Sequence, residues 1–293
     1  MRVRSGILLA LLLLVTGGCS GAPQEFPGAR DRSGAAATAA PVAADQLRAS
    51  LTQDRFAEGT RSVLAGVTNA SRRTLWITDA AVDWPGLSFP PVHLDEPRIE
   101  PGETAAFTVK YDAARCDGPV REAPRMQVRV DERSMNLPLH VDIPGLLGRL
   151  RADACAQQRL SAVASVHLRL SERTEVVRGI EQLPAEVVVK RMPGSTAPVT
   201  VEDLAGSVLI SLSPRAGRDA LPVSLRPGQD RLALPVLLGS TGRCDGHARS
   251  QSSQTFLLGI FVRRGADPVQ RVVQIPTRAE QERLLAMLDR VCG

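Results

Sequence analysis

The chain has 293 residues, 43% of them apolar, with 36 basic and 31 acidic side chains and a formal charge of +5. It is too apolar to be disordered throughout and long enough for two ordinary domains. Its arginines alternate with acids along the chain instead of gathering in a stripe, which argues against a nucleic-acid partner.

Arg2 and Arg4 precede an unbroken apolar run from Ile7 to Val15. The run is too short for a hydrocarbon core that needs about twenty residues, so it reads as the apolar region of a signal peptide. Thr16-Gly17-Gly18-Cys19-Ser20 follows. This segment resembles the lipobox of bacterial lipoproteins, although Thr16 stands where Leu is commonest. The resemblance implies removal of residues 1–18 and acylation of Cys19. The protein is then expected to be exported and anchored to the outer face of the cell membrane. Without Arg2 and Arg4 the formal charge falls to +3, and no block of like charge remains. Residues 19–57 are rich in Ala, Gly, Ser and Pro and read as a flexible tether, with a weak helix over residues 44–56 as the alternative.

With Cys19 assigned to the lipid, four cysteines remain: Cys116, Cys155, Cys244 and Cys292. Arg115-Cys116-Asp117-Gly118 recurs as Arg243-Cys244-Asp245-Gly246. Pro101-Gly102 precedes the first copy and Pro227-Gly228 the second. Each copy leads to a proline (Pro144, Pro276) and then to an amphipathic segment carrying the next cysteine. The repeated order indicates an internal duplication over residues 58–158 and 159–293. It predicts the pairs Cys116–Cys155 and Cys244–Cys292, one bridge per repeat.

In repeat one, alternation predicts strands over residues 61–67, 74–79, 104–111, 126–130 and 134–143, then a helix with Leu146, Leu147, Leu150 and Ala154 on one side. In repeat two, strands are expected over residues 166–170, 186–191, 208–212, 221–225, 232–238, 255–262 and 270–275. Thr277-Arg278-Ala279-Glu280 has the form of a capping box, opening a last helix with Leu284, Leu285, Leu288 and Val291 as its apolar face. Many short strands without long alternating helices predict an all-β protein, two tandem immunoglobulin-like sandwiches each ending in a disulfide-pinned helix.

The Arg-Cys-Asp segments, with His247 completing the fuller Arg-Cys-Asp-x-His form in the second copy only, resemble a motif of exported actinobacterial lipoproteins of unknown function. The resemblance covers two short stretches, about residues 99–118 and 225–247. It implies family and location but no activity.

Motifs for a nucleophile elbow, a zinc protease, a P-loop or an EF-hand are missing from the sequence, so no catalytic residue, metal ligand or cofactor is assigned. His93, His140, His167 and His247 are scattered. Asp117 and Asp245 read as turn residues, with cation binding as the alternative, helped at Asp245 by His247. Trp76, between Leu75 and Ile77, is expected to pack in the core or on a sheet face, while Trp84 beside Pro85-Gly86 is the expected exposed contact residue. Arg129 and Arg169 are expected on a solvated strand face, with anionic lipid or polymer as the alternative. The candidate contact residues are thus Trp84, Asp245 and His247. The expected function is a non-catalytic binding or interaction module of the envelope, its partners the membrane and an envelope protein or ligand. A solute- or lipid-binding lipoprotein and an enzyme with a cryptic site are the alternatives.

Overall fold

The computed structural model describes residues 42–293 apart from 55–56, 96–97 and 252–253. The signal segment, Cys19 and the tether up to residue 41 lie outside these. Repeat one contains β1 (Leu47–Thr52), β2 (Ser62–Asn69), β3 (Leu75–Asp83), β4 (Val92–His93), β5 (Arg98–Ile99), β6 (Thr104–Lys110), β7 (Arg125–Val130), β8 (Arg133–Val141) and α1 (Leu146–Ser161). Repeat two contains β9 (Ala164–Leu170), β10 (Glu175–Val177), β11 (Ile180–Arg191), β12 (Val199–Ala205), β13 (Ile210–Pro214), β14 (Val223–Leu225), β15 (Arg231–Ser240), α2 (Gly246–Gln251), β16 (Leu258–Arg264), β17 (Gln270–Gln274) and α3 (Arg278–Cys292). The protein is all-β, as its alternating apolar pattern predicts.

Repeat one is a single eight-stranded sheet running β4-β3-β7-β8-β1-β2-β6, with β5 also on β3. β8 joins its two arms. Residues 133–138 pair antiparallel with β7, while Leu139 to Val141 run parallel to β1. Both arms turn apolar side chains into one core; β7 shows this most cleanly, burying Met126, Val128 and Val130 between exposed Gln127 and Arg129. Repeat two has a five-stranded sheet around β11 and β15 and a four-stranded sheet in the order β14-β12-β16-β17, over a second core.

The end of the expected tether is corrected here. Leu47, Ala49 and Leu51 are buried, and β1 lies inside the sheet between β8 and β2. Three apolar residues at period two are too few to stand out from an Ala-rich stretch; what makes them a strand is two partners distant in sequence.

The duplication reaches individual contacts. In Glu100-Pro101-Gly102-Glu103 and Arg226-Pro227-Gly228-Gln229 the glycine has a φ of 81° in each. The fourth residue's Oε accepts from the first residue's amide at 2.9 Å in both turns. Leu75 faces Ile99 as Val199 faces Leu225. The ladder slips between Ile77 and Asp79 on β3, and between Val201 and Asp203 on β12, so even the bulge is repeated. One joint differs. Where β1 and β8 share a parallel ladder, β9 and β17 are tied by the Gln274 side chain, which accepts from the Leu168 amide at 3.1 Å and donates to the Val166 carbonyl at 3.3 Å.

Both expected disulfides are present, Cys116–Cys155 and Cys244–Cys292. Arg151 on α1 also holds the first Arg-Cys-Asp-Gly loop, donating to the Arg115 and Gly118 carbonyls at 2.6 Å each. The Thr277–Glu280 capping box opens α3. That helix buries Leu284, Met287 and Leu288 but leaves Leu285 exposed, one position off the expected stripe.

Candidate functional site: the cleft between the repeats

The first core takes in Leu146, Leu147, Leu150 and Ala154 of α1, and the second takes in Leu160. One helix is therefore rooted in both cores, and only Ala162 and Val163 separate it from β9. The β1–β2 connection packs on repeat two as well. Gly59 has a φ of 78°, and a Cβ there would come within 3.1 Å of Val273 on β17, so glycine suits both the backbone and the close approach.

Between these elements lies a cleft of about 700 Å³. Its walls carry Arg61, Tyr111 and Asp153 from repeat one and Arg264, Asp267 and Arg271 from repeat two. Leu150, Leu160 and Val262 give it an apolar floor. Asp267 bridges the repeats, 2.8 Å from Arg264 and 4.0 Å from Arg159 on α1. The hydrogen bond from Arg264, and then the two positive charges, hold its carboxyl below the usual range. Arg61 donates to the Gln157 side chain at 2.8 and 3.2 Å and to the Asp112 carbonyl at 2.9 Å. Burial pushes the Tyr111 hydroxyl and the Asp153 carboxyl upward. The cleft can thus present hydrogen-bond donors and positive charge beside an apolar surface.

The candidate contact residues do not meet there. Trp84 is buried at 9% exposure, and Gly86 lies so close that a Cβ would overlap the Trp84 ring. Trp76 is the exposed one, at 52%. The expectation for Trp84 is therefore overturned, while Trp76 takes the sheet face, the second of its two expected places. Alternation explains Trp76: Leu75 and Ile77 point inward, so the residue between them points out.

Asp245 starts α2, accepting from the Ala248 amide at 2.8 Å, with Arg243 at 3.7 Å. The second Arg-Cys-Asp-Gly thus opens the short helix α2, and the strands expected after it follow as β16 and β17. His247 falls in α2, and its side chain lies outside what the structure describes. Arg129 lies 3.5 Å from Asp79, whose carboxyl also lies 3.1 Å from His93. The hydrogen bonds from His93 and Thr78 hold the Asp79 carboxyl below its usual range. Among the described residues, no three His, Cys, Asp or Glu side chains gather as metal ligands would. Sequence reasoning did not single out Arg61 or place Tyr111 in a site. Arg61 carries no local signal among so many arginines, and Tyr111 reads as one more core aromatic.

No known protein family matches the chain, and no curated protein is similar to it. Among solved structures it is similar to a protein of unknown function from Porphyromonas gingivalis W83, at 14% identity over 78% of this chain and 98% of that one, with a TM-score of 0.21. It is also similar to the YadV chaperone, at 11% identity over 77% and 97% of the two chains and a TM-score of 0.20. The CupB2 chaperone of Pseudomonas aeruginosa is similar at 14% identity over 75% and 97%, also with a TM-score of 0.20. Likeness at this level carries no argument about function.

Proposed function

We propose that the chain is an exported lipoprotein, anchored through Cys19, whose tandem immunoglobulin-like repeats act as a non-catalytic binding module of the cell envelope. The cleft is the binding site in this reading. It carries the proposal: a volume of about 700 Å³ is of the size that holds small ligands, and it sits between two β units joined by a helix shared by both cores. The two disulfides support an oxidising compartment. The concave site favours a small ligand over a flat protein interface.

The test is metabolic labelling with an alkyne fatty acid, followed by membrane fractionation of the native protein and the Cys19→Ala variant. Label and membrane association in the native protein, both lost in the variant, are expected. An unlabelled native protein would remove the anchored reading.

A further inference from the structure

We propose that the cleft binds the anionic head of a small amphiphile, a carboxylate or a phosphate, on Arg61 and the Tyr111 hydroxyl. The inference deepens the binding-module reading and rests on it. Tyr111 is 5% exposed, its ring edge-on to Phe89 with centroids 6.1 Å apart. The residue lines the cleft, and its hydroxyl makes no hydrogen bond among the described residues and is not sealed from solvent, so it is free to donate into the cleft. It is a donor waiting for an acceptor.

Arg61 supplies the charge. Its fork is fixed by the Gln157 side chain and the Asp112 carbonyl, which are neutral acceptors, and no described carboxylate pairs with it. Across the cleft, Arg271 also donates to a neutral group, the Leu257 carbonyl, at 3.3 Å. The other basic residues on the walls, Arg159 and Arg264, share one carboxylate, Asp267, at 4.0 and 2.8 Å. Glu58 and Asp153 also line the cleft; Asp153 feels the charge of Arg149 on its own helix and itself acts on Tyr111. Two guanidinium groups held by neutral acceptors beside an unpaired hydroxyl form an arrangement suited to an oxyanion. Next to them Leu150, Leu160 and Val262 are apolar, and Val269 lines the same cleft half exposed. A charged head with an apolar tail satisfies both surfaces.

The experiment is calorimetric titration of the purified full chain with decanoate, decyl phosphate, decyltrimethylammonium and decyl maltoside, each below its micelle-forming concentration. The proposal expects one or both anions to bind at least about tenfold more tightly than the cationic and neutral heads on the same tail. Arg61→Gln should weaken the anion about tenfold, and Tyr111→Phe severalfold, with melting temperatures near the native value. Tyr111→Phe keeps the ring and carries the test if Arg61→Gln does not fold. Preference between decanoate and decyl phosphate tells a fatty acid from a phosphate headgroup as the source. Equal binding of all four heads, preference for the cation, no binding at all, or affinity unchanged in both variants would overturn the proposal. Preference for the cation or the neutral head would still leave a binding module, so that failure is separable from failure of the anchored reading.

Discussion

The side-chain amide of Asn69 donates to the Ile99 carbonyl at 3.0 Å, and the guanidinium of Arg191 donates to the Leu225 carbonyl at 3.3 Å. The two donors end β2 and β11, and the two acceptors end β5 and β14, so different side chains perform one task at matching places in the duplicated fold. Asn69 is fully buried; it also donates to the Arg73 carbonyl and accepts from the amide and hydroxyl of Ser71. Arg191 also reaches the carbonyls of Ala197, Arg226 and Gln229. Removing either donor strands several carbonyls. Asn69→Ala and Arg191→Lys should each lower stability by about 1–3 kcal/mol, the cost of orphaned polar groups, in urea unfolding. Lysine keeps the charge at position 191 but cannot span the carbonyls that the planar fork reaches.

The two tryptophans separate by burial. Trp84→Ala should cost about 3–5 kcal/mol through the cavity it leaves, whereas Trp76→Ala should fall within about 0.5 kcal/mol of the native protein. Gly86→Ala should destabilise as well, by about 1–3 kcal/mol, because the added methyl meets the Trp84 ring. Fluorescence checks the assignment. Trp76→Phe leaves Trp84 as the only tryptophan, and the remaining emission should shift to the blue and resist acrylamide.

Each disulfide closes a long loop, with sequence separations of 39 and 48 residues. In the chain-entropy description each constrains the unfolded chain by about 4 kcal/mol. The paired variants Cys116→Ser/Cys155→Ser and Cys244→Ser/Cys292→Ser should each lose close to that amount in denaturant unfolding. The bridges lie in separate repeats, and their losses should add when all four cysteines are replaced.

Arg290 on α3 grips Glu181 on β11, Nη2 to Oε1 at 2.8 Å, and its hydrogen bonds hold the Glu181 carboxyl at about 2. A carboxyl depressed in the folded state stabilises the fold above its unfolded value, near 4.5, and that contribution is lost as pH falls toward 2. Melting curves of the native protein and Glu181→Gln should therefore differ by a constant amount above about pH 5 and converge as pH approaches 2. A gap that widened in acid would contradict the pairing.

Local pattern alone determined a good part of this protein. Alternation at Met126, Val128 and Val130 placed β7 and its buried face, and Thr277 with Glu280 placed the start of α3. The repeated Arg-Cys-Asp-Gly, each followed by a helix carrying a cysteine, paired all four of those cysteines correctly. These features depend on neighbours a few residues apart, or on a motif that occurs twice. Tertiary structure decided the rest. β1 is a strand because Ala49 lies beside both Val67 and Leu139, which no short window contains. Trp84 is buried because the Gly86 backbone closes against its ring, although the Trp-Pro-Gly sequence suggests an exposed turn. Arg61 and Tyr111 are neighbours because β2 pairs with β6, the Tyr111 amide donating to the Arg61 carbonyl at 3.0 Å, and they line a cleft because α1 is rooted in both cores. A period of two tells which residues share a face of a strand; which face meets a partner depends on sheets and helices assembled from distant segments.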